Sequence, residues 1–319
     1  MCELKTDVET GAIGVDERSS MKGLEKRSLG KTDASVTFMG FGALEIGRDW
    51  GLGDKTRPEE DEAITVLNGV LDTGINMIDT ASAYHLSEAR IGKGIGGRRA
   101  EYFLASKCGE HSRESKTYYD FSYEAVAGSI DSSLELLHTE QIDLMQIHFG
   151  PDAQKVVDDG ETVRAMQEAK EAGKVRLLGA SCGGNIAEQC VDLGVFDAMQ
   201  IDYSLMNRRD EGLIARCEEL GVGVVIKGGV GRGRLTPKVL DHMDELDDGA
   251  REKVTALLEL ADGDGEQLMA MALNFLYQSS GVTSVLLGSK NLAHVKSNIE
   301  LLEREIDQSV MDQALALTT

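Results

Sequence analysis

Eight short apolar runs punctuate this chain, and longer stretches with helical spacing separate them. The runs are VTFMGFGA (36–43), INMIDTA (75–81), YFLASK (102–107), IDLMQIHF (142–149), VRLLGAS (175–181), FDAMQID (196–202), VGVVIKG (222–228) and VTSVLLGS (282–289). Each is bounded by Gly, Asp or Asn, and several carry β-branched residues, as strands buried on both faces do. The intervening stretches are amphipathic. EEDEAITVLNGVLDTG sets Ile64, Val66, Leu67 and Leu71 near one stripe and stops at Gly74. SYEAVAGSIDSSLELLH opens on Ser122, a helix-capping residue type, with Glu124 behind it. Strict alternation of strand and helix means a parallel sheet. Eight repeats in about 300 residues close into a (β/α)8 TIM barrel, an α/β fold. The stretch 229–262 breaks the rhythm. It is long, charged and interrupted by Pro237, which predicts a loop plus an extra helix between strand seven and its own helix.

Composition narrows the partners. With 33 Lys+Arg against 55 Asp+Glu the net charge is −22, which argues against nucleic acid or an anionic membrane surface. No run approaches the roughly 18 apolar residues of a membrane span. Five cysteines (Cys2, Cys108, Cys182, Cys190, Cys217) form no CxxC pair and are odd in number. A disulfide framework or zinc site is not expected, no metal is predicted, and reduced thiols point to the cytoplasm. The opening MCELKTDVETGAIGVDERSS has early acids and no apolar core of a signal peptide. Residues 1–22 are expected to form a flexible tail, with Met21 as an alternative start, and residues 23–319 one barrel domain. No Gly/Ser-rich linker divides the chain.

In a closed barrel the chemistry sits at the C-terminal ends of the strands. Strand two ends in Asp79, with Tyr84 in the loop after it. Strand three ends in Lys107, strand four in His148, strand five in Ser181 and strand seven in Lys227, while strand six holds Gln200. Singly, each has a plainer reading. Asp79 suits a helix cap, Lys107 an ordinary strand-end cation and His148 a satisfied core histidine. Together they make a proton donor. A free tyrosine ionises near ~10 and donates poorly at neutral pH, and a neighbouring ammonium stabilises its phenolate. Lys107 can supply that ammonium, Asp79 can keep it charged, and His148 can orient a substrate oxygen. Such a donor serves a carbonyl that receives a hydride, and no side chain supplies hydride, so a nicotinamide cofactor is implied. GKGIGG (92–97) has the GxGxxG form, but it follows a helical stretch rather than a strand, so a helix-ending turn accounts for it better than a dinucleotide fingerprint. Cys108 and Cys182 flank these residues and are read as packing groups.

The segments LEKRSLGKTDASVTFMGFGALEIG, GINMIDTASAYHLSEARIGKGI, YFLASKCG, IDLMQIHFGPD, GKVRLLGASC, MQIDYSLMNR and LLGSKNLAHVKSNIELLE resemble the aldo-keto reductase superfamily, over about residues 24–303 and in that family's order. The resemblance implies NAD(P)H-dependent reduction of aldehydes or ketones, with Asp79, Tyr84, Lys107 and His148 as the catalytic set and Tyr84 as general acid. It places Ser181 and Gln200 on the nicotinamide carboxamide, and Lys227 where the family has a ring-stacking aromatic. Gly231 and Arg232, with Arg234 nearby, fall in the loop that covers the pyrophosphate. Ser289, Lys290, His294 and Asn298 fall in the adenine-ribose segment, with His294 where many members have Arg, and Cys182 stands where the family often has Asn. Trp50 lies where the family puts pocket aromatics. NADP(H) is the favoured cofactor and NAD(H) the alternative. Two other readings attach to the resemblance: a cofactor-binding regulatory subunit of the channel β-subunit type, and a sugar or alcohol dehydrogenase working oxidatively. The only partner implied is a small carbonyl or alcohol, and nothing in the residues sets an oligomeric state.

Overall fold

In the computed structural model, which describes residues 21–114 and 116–318, each apolar run yields a strand and each amphipathic stretch a helix. In chain order the strands are β1 (Lys26–Ser28), β2 (Ser35–Thr37), β3 (Met39–Gly42), β4 (Met77–Asp79), β5 (Phe103–Cys108), β6 (Glu110–Arg113), β7 (Lys116–Tyr119), β8 (Ile142–His148), β9 (Val175–Ser181), β10 (Ala198–Asp202), β11 (Gly223–Lys227) and β12 (Ser284–Gly288). The helices are α1 (Glu60–Thr73), α2 (Ser87–Ile95), α3 (Tyr123–Leu136), α4 (Ala153–Asp159), α5 (Glu161–Glu171), α6 (Gly184–Leu193), α7 (Glu211–Leu220), α8 (Asp248–Leu260), α9 (Gly265–Gln278), α10 (Leu292–Leu302) and α11 (Gln308–Leu317).

Strands β3, β4, β5, β8, β9, β10, β11 and β12 pair in that order, all parallel, and β12 returns to β3 to close the barrel. The (β/α)8 expectation is met. The run 36–43 is not one strand, however. Val36 and Thr37 pair antiparallel with β1, whereas Met39–Gly42 belong to the barrel. Phe38 is the hinge: its N–H donates to the Glu25 carbonyl at 2.8 Å, and its carbonyl accepts from Val285 N–H at 2.7 Å. The β1–β2 hairpin drops Leu29, Ala34 and Val36 into a buried cluster with Met77, Phe103, Leu144, Leu177, Ala198 and Val225, which lie toward the starts of six barrel strands. It therefore plugs the N-terminal end of the barrel. Residues 1–20, most of the expected tail, lie outside the described residues. Lys22 is not part of a tail, since its backbone N–H donates to Glu303 Oε1 at 2.6 Å.

Helix ends follow local chemistry. Glu59 and Glu62 form a reciprocal capping box at the start of α1, and Gly74 ends it in the left-handed region at φ 102°. Its buried stripe is Ala63, Val66, Leu67, Val70 and Leu71, with Ile64 at the margin. Ser122 caps α3 by accepting the Ala125 N–H. The 229–262 stretch becomes three single 3-10 turns and then α8, as expected of a loop with an extra helix. Between β5 and α3 the chain builds the antiparallel β6–β7 hairpin where only a loop was expected. Helix α11 likewise had no expectation, and it packs on α8.

GKGIGG closes a helix. Gly92 lies in α2, where a Cβ would come within 2.1 Å of the Leu136 carbonyl oxygen at the end of α3. The residue is a close-approach point between two helices, not a phosphate loop. Gly97, by contrast, faces nothing within 4 Å. Gly92→Ala is expected to cost about 1–3 kcal/mol through overpacking, whereas Gly97→Ala stays near neutral. Thermal denaturation of the two variants side by side measures the difference.

Candidate active site

Four elements bring the sequence-selected residues to the open end of the barrel. Asp79 closes β4, Lys107 lies near the end of β5 and His148 closes β8. Tyr84 follows β4 in a tight turn in which its N–H donates to the Ala81 carbonyl and its carbonyl accepts from Ser87 N–H, both at 3.0 Å. Gly47, in the loop after β3, holds this turn in place. A Cβ there would lie 2.2 Å from the Tyr84 carbonyl oxygen, so only glycine lets that loop press so closely. Lys107 Nζ donates to Asp79 Oδ1 at 2.5 Å, to the Thr80 carbonyl at 2.8 Å and to Tyr84 Oη at 3.3 Å. The Tyr84 and His148 rings meet edge to face with centroids 5.9 Å apart.

A hydrogen-bonded chain runs outward from Asp79. Its Oδ2 accepts from Gln146 Nε2 at 3.0 Å and from Gln200 Nε2 at 2.9 Å. Ser181 Oγ donates to Gln200 Oε1 at 3.0 Å, and Lys227 Nζ donates to Ser181 Oγ at 2.8 Å. Six residues from five barrel strands and one strand-end loop thus form one network, Tyr84–Lys107–Asp79–Gln200–Ser181–Lys227.

Charge in this network is set by burial and pairing. Lys107 is 1% and Asp79 2% exposed. Burial alone favours a neutral Lys107, but Asp79 and then Tyr84 outweigh it and hold the ammonium above its ordinary value, so Lys107 stays charged. Tyr84 moves against the direction expected from Lys107 alone. Burial raises its phenol, and the Lys107 charge offsets this only in part because Asp79 opposes it. His148 is held below its ordinary value by burial, despite the Glu110 carboxylate 3.0 Å from its Nδ1, and is therefore neutral at pH 7. That nitrogen makes no well-aligned hydrogen bond.

Beside Tyr84 opens a cavity of about 420 Å³, a size typical of small-molecule sites. Its wall contains Trp50, Gln200, Lys227, Arg232, Ser289, His294 and Asn298 from the sequence-selected set. Trp50 is 43% exposed, with the Arg48 guanidinium over its ring at 5.9 Å. Arg232 pairs with Asp202 at 3.0 Å. Lys107, His148 and Ser181 lie off the wall, as do three residues of the predicted dinucleotide segments. Gly231 faces inward toward Arg234, Leu235 and Met206. Arg234 instead sits 3.7 Å from Asp247. Lys290 donates to Asp54 Oδ2 and to the Thr56 carbonyl, both at 2.7 Å, and so ties the loop after β3 to the end of β12.

Residues 38–317 match the sequence model of the aldo/keto reductase family. The chain belongs to that family. L-galactose dehydrogenase of Arabidopsis thaliana is 29% identical over 307 residues, covering 92% of this chain and 92% of its own. An uncharacterized oxidoreductase of Bacillus subtilis, YqkF, is 28% identical over 292 residues, covering 87% of this chain and 90% of its own. The holo form of the aldo-keto reductase AKR11C1 from Bacillus halodurans superposes with a TM-score of 0.77 at 28% identity, covering 94% of this chain and 97% of its own. This aldo/keto reductase family member is an oxidoreductase, and the family as a whole uses nicotinamide cofactors on small carbonyl compounds. Among the described residues, no helix is long and apolar enough to cross a membrane.

Sequence reading missed three residues of this aldo/keto reductase family site. Gln146 had a signal: it stands two residues before His148 on β8, so strand alternation puts both on one face. Glu110 had none, because it depends on the unexpected β6–β7 hairpin. Gly47 is recognisable only from its contact with Tyr84. Glu110 has a testable role. Its negative charge favours the imidazolium form of His148, so Glu110→Gln should lower the His148 pKa further. An NMR pH titration of the imidazole is expected to show an earlier loss of the proton as pH rises, and an unchanged or raised midpoint refutes the contact's role.

Proposed function

We propose that this protein interconverts a carbonyl and an alcohol with a nicotinamide dinucleotide, with Tyr84 as the proton donor in reduction. The observation that carries the reading is the contact of Tyr84 Oη with a charged Lys107 at the rim of a cavity that also holds Gln200 and Lys227. The residues present fit such a cofactor. Lys227, Arg232 and Lys238 bring basic groups to the wall, as a diphosphate needs, beside the acids Glu45 and Glu266, and Ser289, His294 and Asn298 add hydrogen-bonding groups. Gly228, Gly231 and Gly233, together with Arg232, turn the loop after β11 through the left-handed region.

When bound, the reduced dinucleotide supplies a hydride to the carbonyl carbon. The protein's own residues do the rest. Tyr84 gives its hydroxyl proton to the carbonyl oxygen as the C=O bond becomes an alcohol. Lys107 stabilises the phenolate left behind, and Asp79 keeps Lys107 charged and aimed. His148, neutral and facing the Tyr84 ring, orients the substrate oxygen. Tyr84 then recovers a proton from solvent. Burial keeps the phenol protonated before the reaction, so Lys107 matters most once charge develops on the oxygen.

We favour NADP(H), supported by Lys238 and His294 on the cavity wall. Lys290 offers less support, since Asp54 already engages it. Oxidation of a sugar or alcohol is the second reading, supported by the likeness to a dehydrogenase of L-galactose. A cytosolic setting is supported by the four free cysteines among the described residues.

Tyr84→Phe is expected to lower turnover on a panel of aldehydes by about 10²–10⁴ while dinucleotide affinity stays within about threefold. Near-native turnover in that variant refutes the assignment. Lys107→Met should also cripple turnover and move the donor's pKa upward in the pH–rate profile. The same panel read with NADPH, NADH and the oxidised forms fixes cofactor and direction.

A further inference from the structure

Lys227 ends β11 with its ammonium at the cavity wall, yet among the described residues it forms no ion pair. Its one hydrogen bond goes to the neutral Ser181 hydroxyl. The acids that could neutralise it are engaged elsewhere. Asp79 holds Lys107 at 2.5 Å, and Asp202, the β10 partner of Lys227 in register, holds Arg232 at 3.0 Å. The hydrogen-bonded network therefore holds two lysines, Lys107 and Lys227, against one carboxylate, Asp79, with Glu110 and Asp202 outside it.

We propose that Lys227 sets the redox-state preference of the site, so that the cavity binds the neutral ring of a reduced nicotinamide more tightly than the cationic ring of the oxidised form. The proposal rests on the nicotinamide reading above. Ser181 and Gln200 are the groups that the family resemblance assigns to the carboxamide, and Lys227 donates to the first of them. A unit charge within about 5 Å of a second like charge, screened as near a protein surface, changes an equilibrium by on the order of tenfold to a hundredfold. Burial and then the charge of Lys107 pull the Lys227 ammonium below its ordinary value, against the opposing influence of Cys182, Asp202 and Asp79. The consequence reaches the chemistry. The same charge opposes the positive charge that grows on the ring during carbonyl reduction and is relieved in alcohol oxidation, so Lys227 tilts the bound equilibrium toward the reduced dinucleotide.

The test is equilibrium binding of the reduced and oxidised dinucleotides, without substrate, to the full chain and to Lys227→Met and Lys227→Arg. NADPH with NADP⁺ and NADH with NAD⁺ are both titrated, followed by ligand fluorescence and calorimetry. The wild type should favour the reduced form by about tenfold or more. Lys227→Met should bring the ratio within about threefold, mainly by tightening the oxidised form, and Lys227→Arg should keep it. If Lys227→Met fails to fold by circular dichroism, Lys227→Gln gives the same comparison with a polar tip. A ratio unchanged on removing the charge overturns this inference alone, because both forms still bind. Failure of the wild type to bind either form overturns the nicotinamide reading and this inference with it.

Discussion

A lysine and an aspartate, both almost wholly buried, meet at 2.5 Å between two adjacent barrel strands. Two charges so far from water are tolerable only if every donor and acceptor finds a partner. The rest of the site is organised to that end. Thr80 offers its carbonyl and Tyr84 its hydroxyl to the lysine, while Gln146 and Gln200 give amide hydrogens to the second carboxylate oxygen. Gln200 in turn accepts from Ser181, which accepts from Lys227. One ion pair therefore recruits residues from six strands or strand-end loops. It also explains why these residues read as unremarkable one at a time: each is chosen to satisfy a neighbour.

Parallel pairing makes this convergence possible. All eight barrel strands run the same way, so their C-terminal residues share one rim. Lys107 stands beside Gln146 in register, and His148 beside Ser181. Glycine completes the arrangement where backbone must approach backbone, as at Gly47 against Tyr84 and Gly92 against the end of α3.

What was legible in the sequence follows from period and burial. The barrel strands are buried on both faces, so their apolar runs stand out, and their last residues could be read as a rim. The two hairpins were not legible for opposite reasons. EHSRESKTYY is polar and largely exposed in β7, so no apolar alternation marks it. Val36 and Thr37 are both β-branched and merge with the strand that follows, and only the hydrogen bonds of Phe38 show where one strand ends and the next begins. The identity of Asp79, Tyr84, Lys107 and His148 as neighbours was readable, but the electrostatics were not. Proximity of Lys107 implied a more acidic phenol, whereas burial and Asp79 reverse the net direction at Tyr84. Spacing conveys which groups meet and says nothing about how dry their meeting place is.

The hairpin at the opposite end has an electrical consequence. Leu29, Ala34 and Val36 stopper the barrel floor with hydrocarbon, which conducts the influence of charge poorly toward solvent on that side. Low-dielectric walls of this kind focus the field of buried charges such as Lys107 and Asp79 toward the open rim. A molecule arriving there meets basic and acidic side chains together, Arg232 and Lys238 beside Glu45 and Glu266, on a protein that as a whole is strongly anionic.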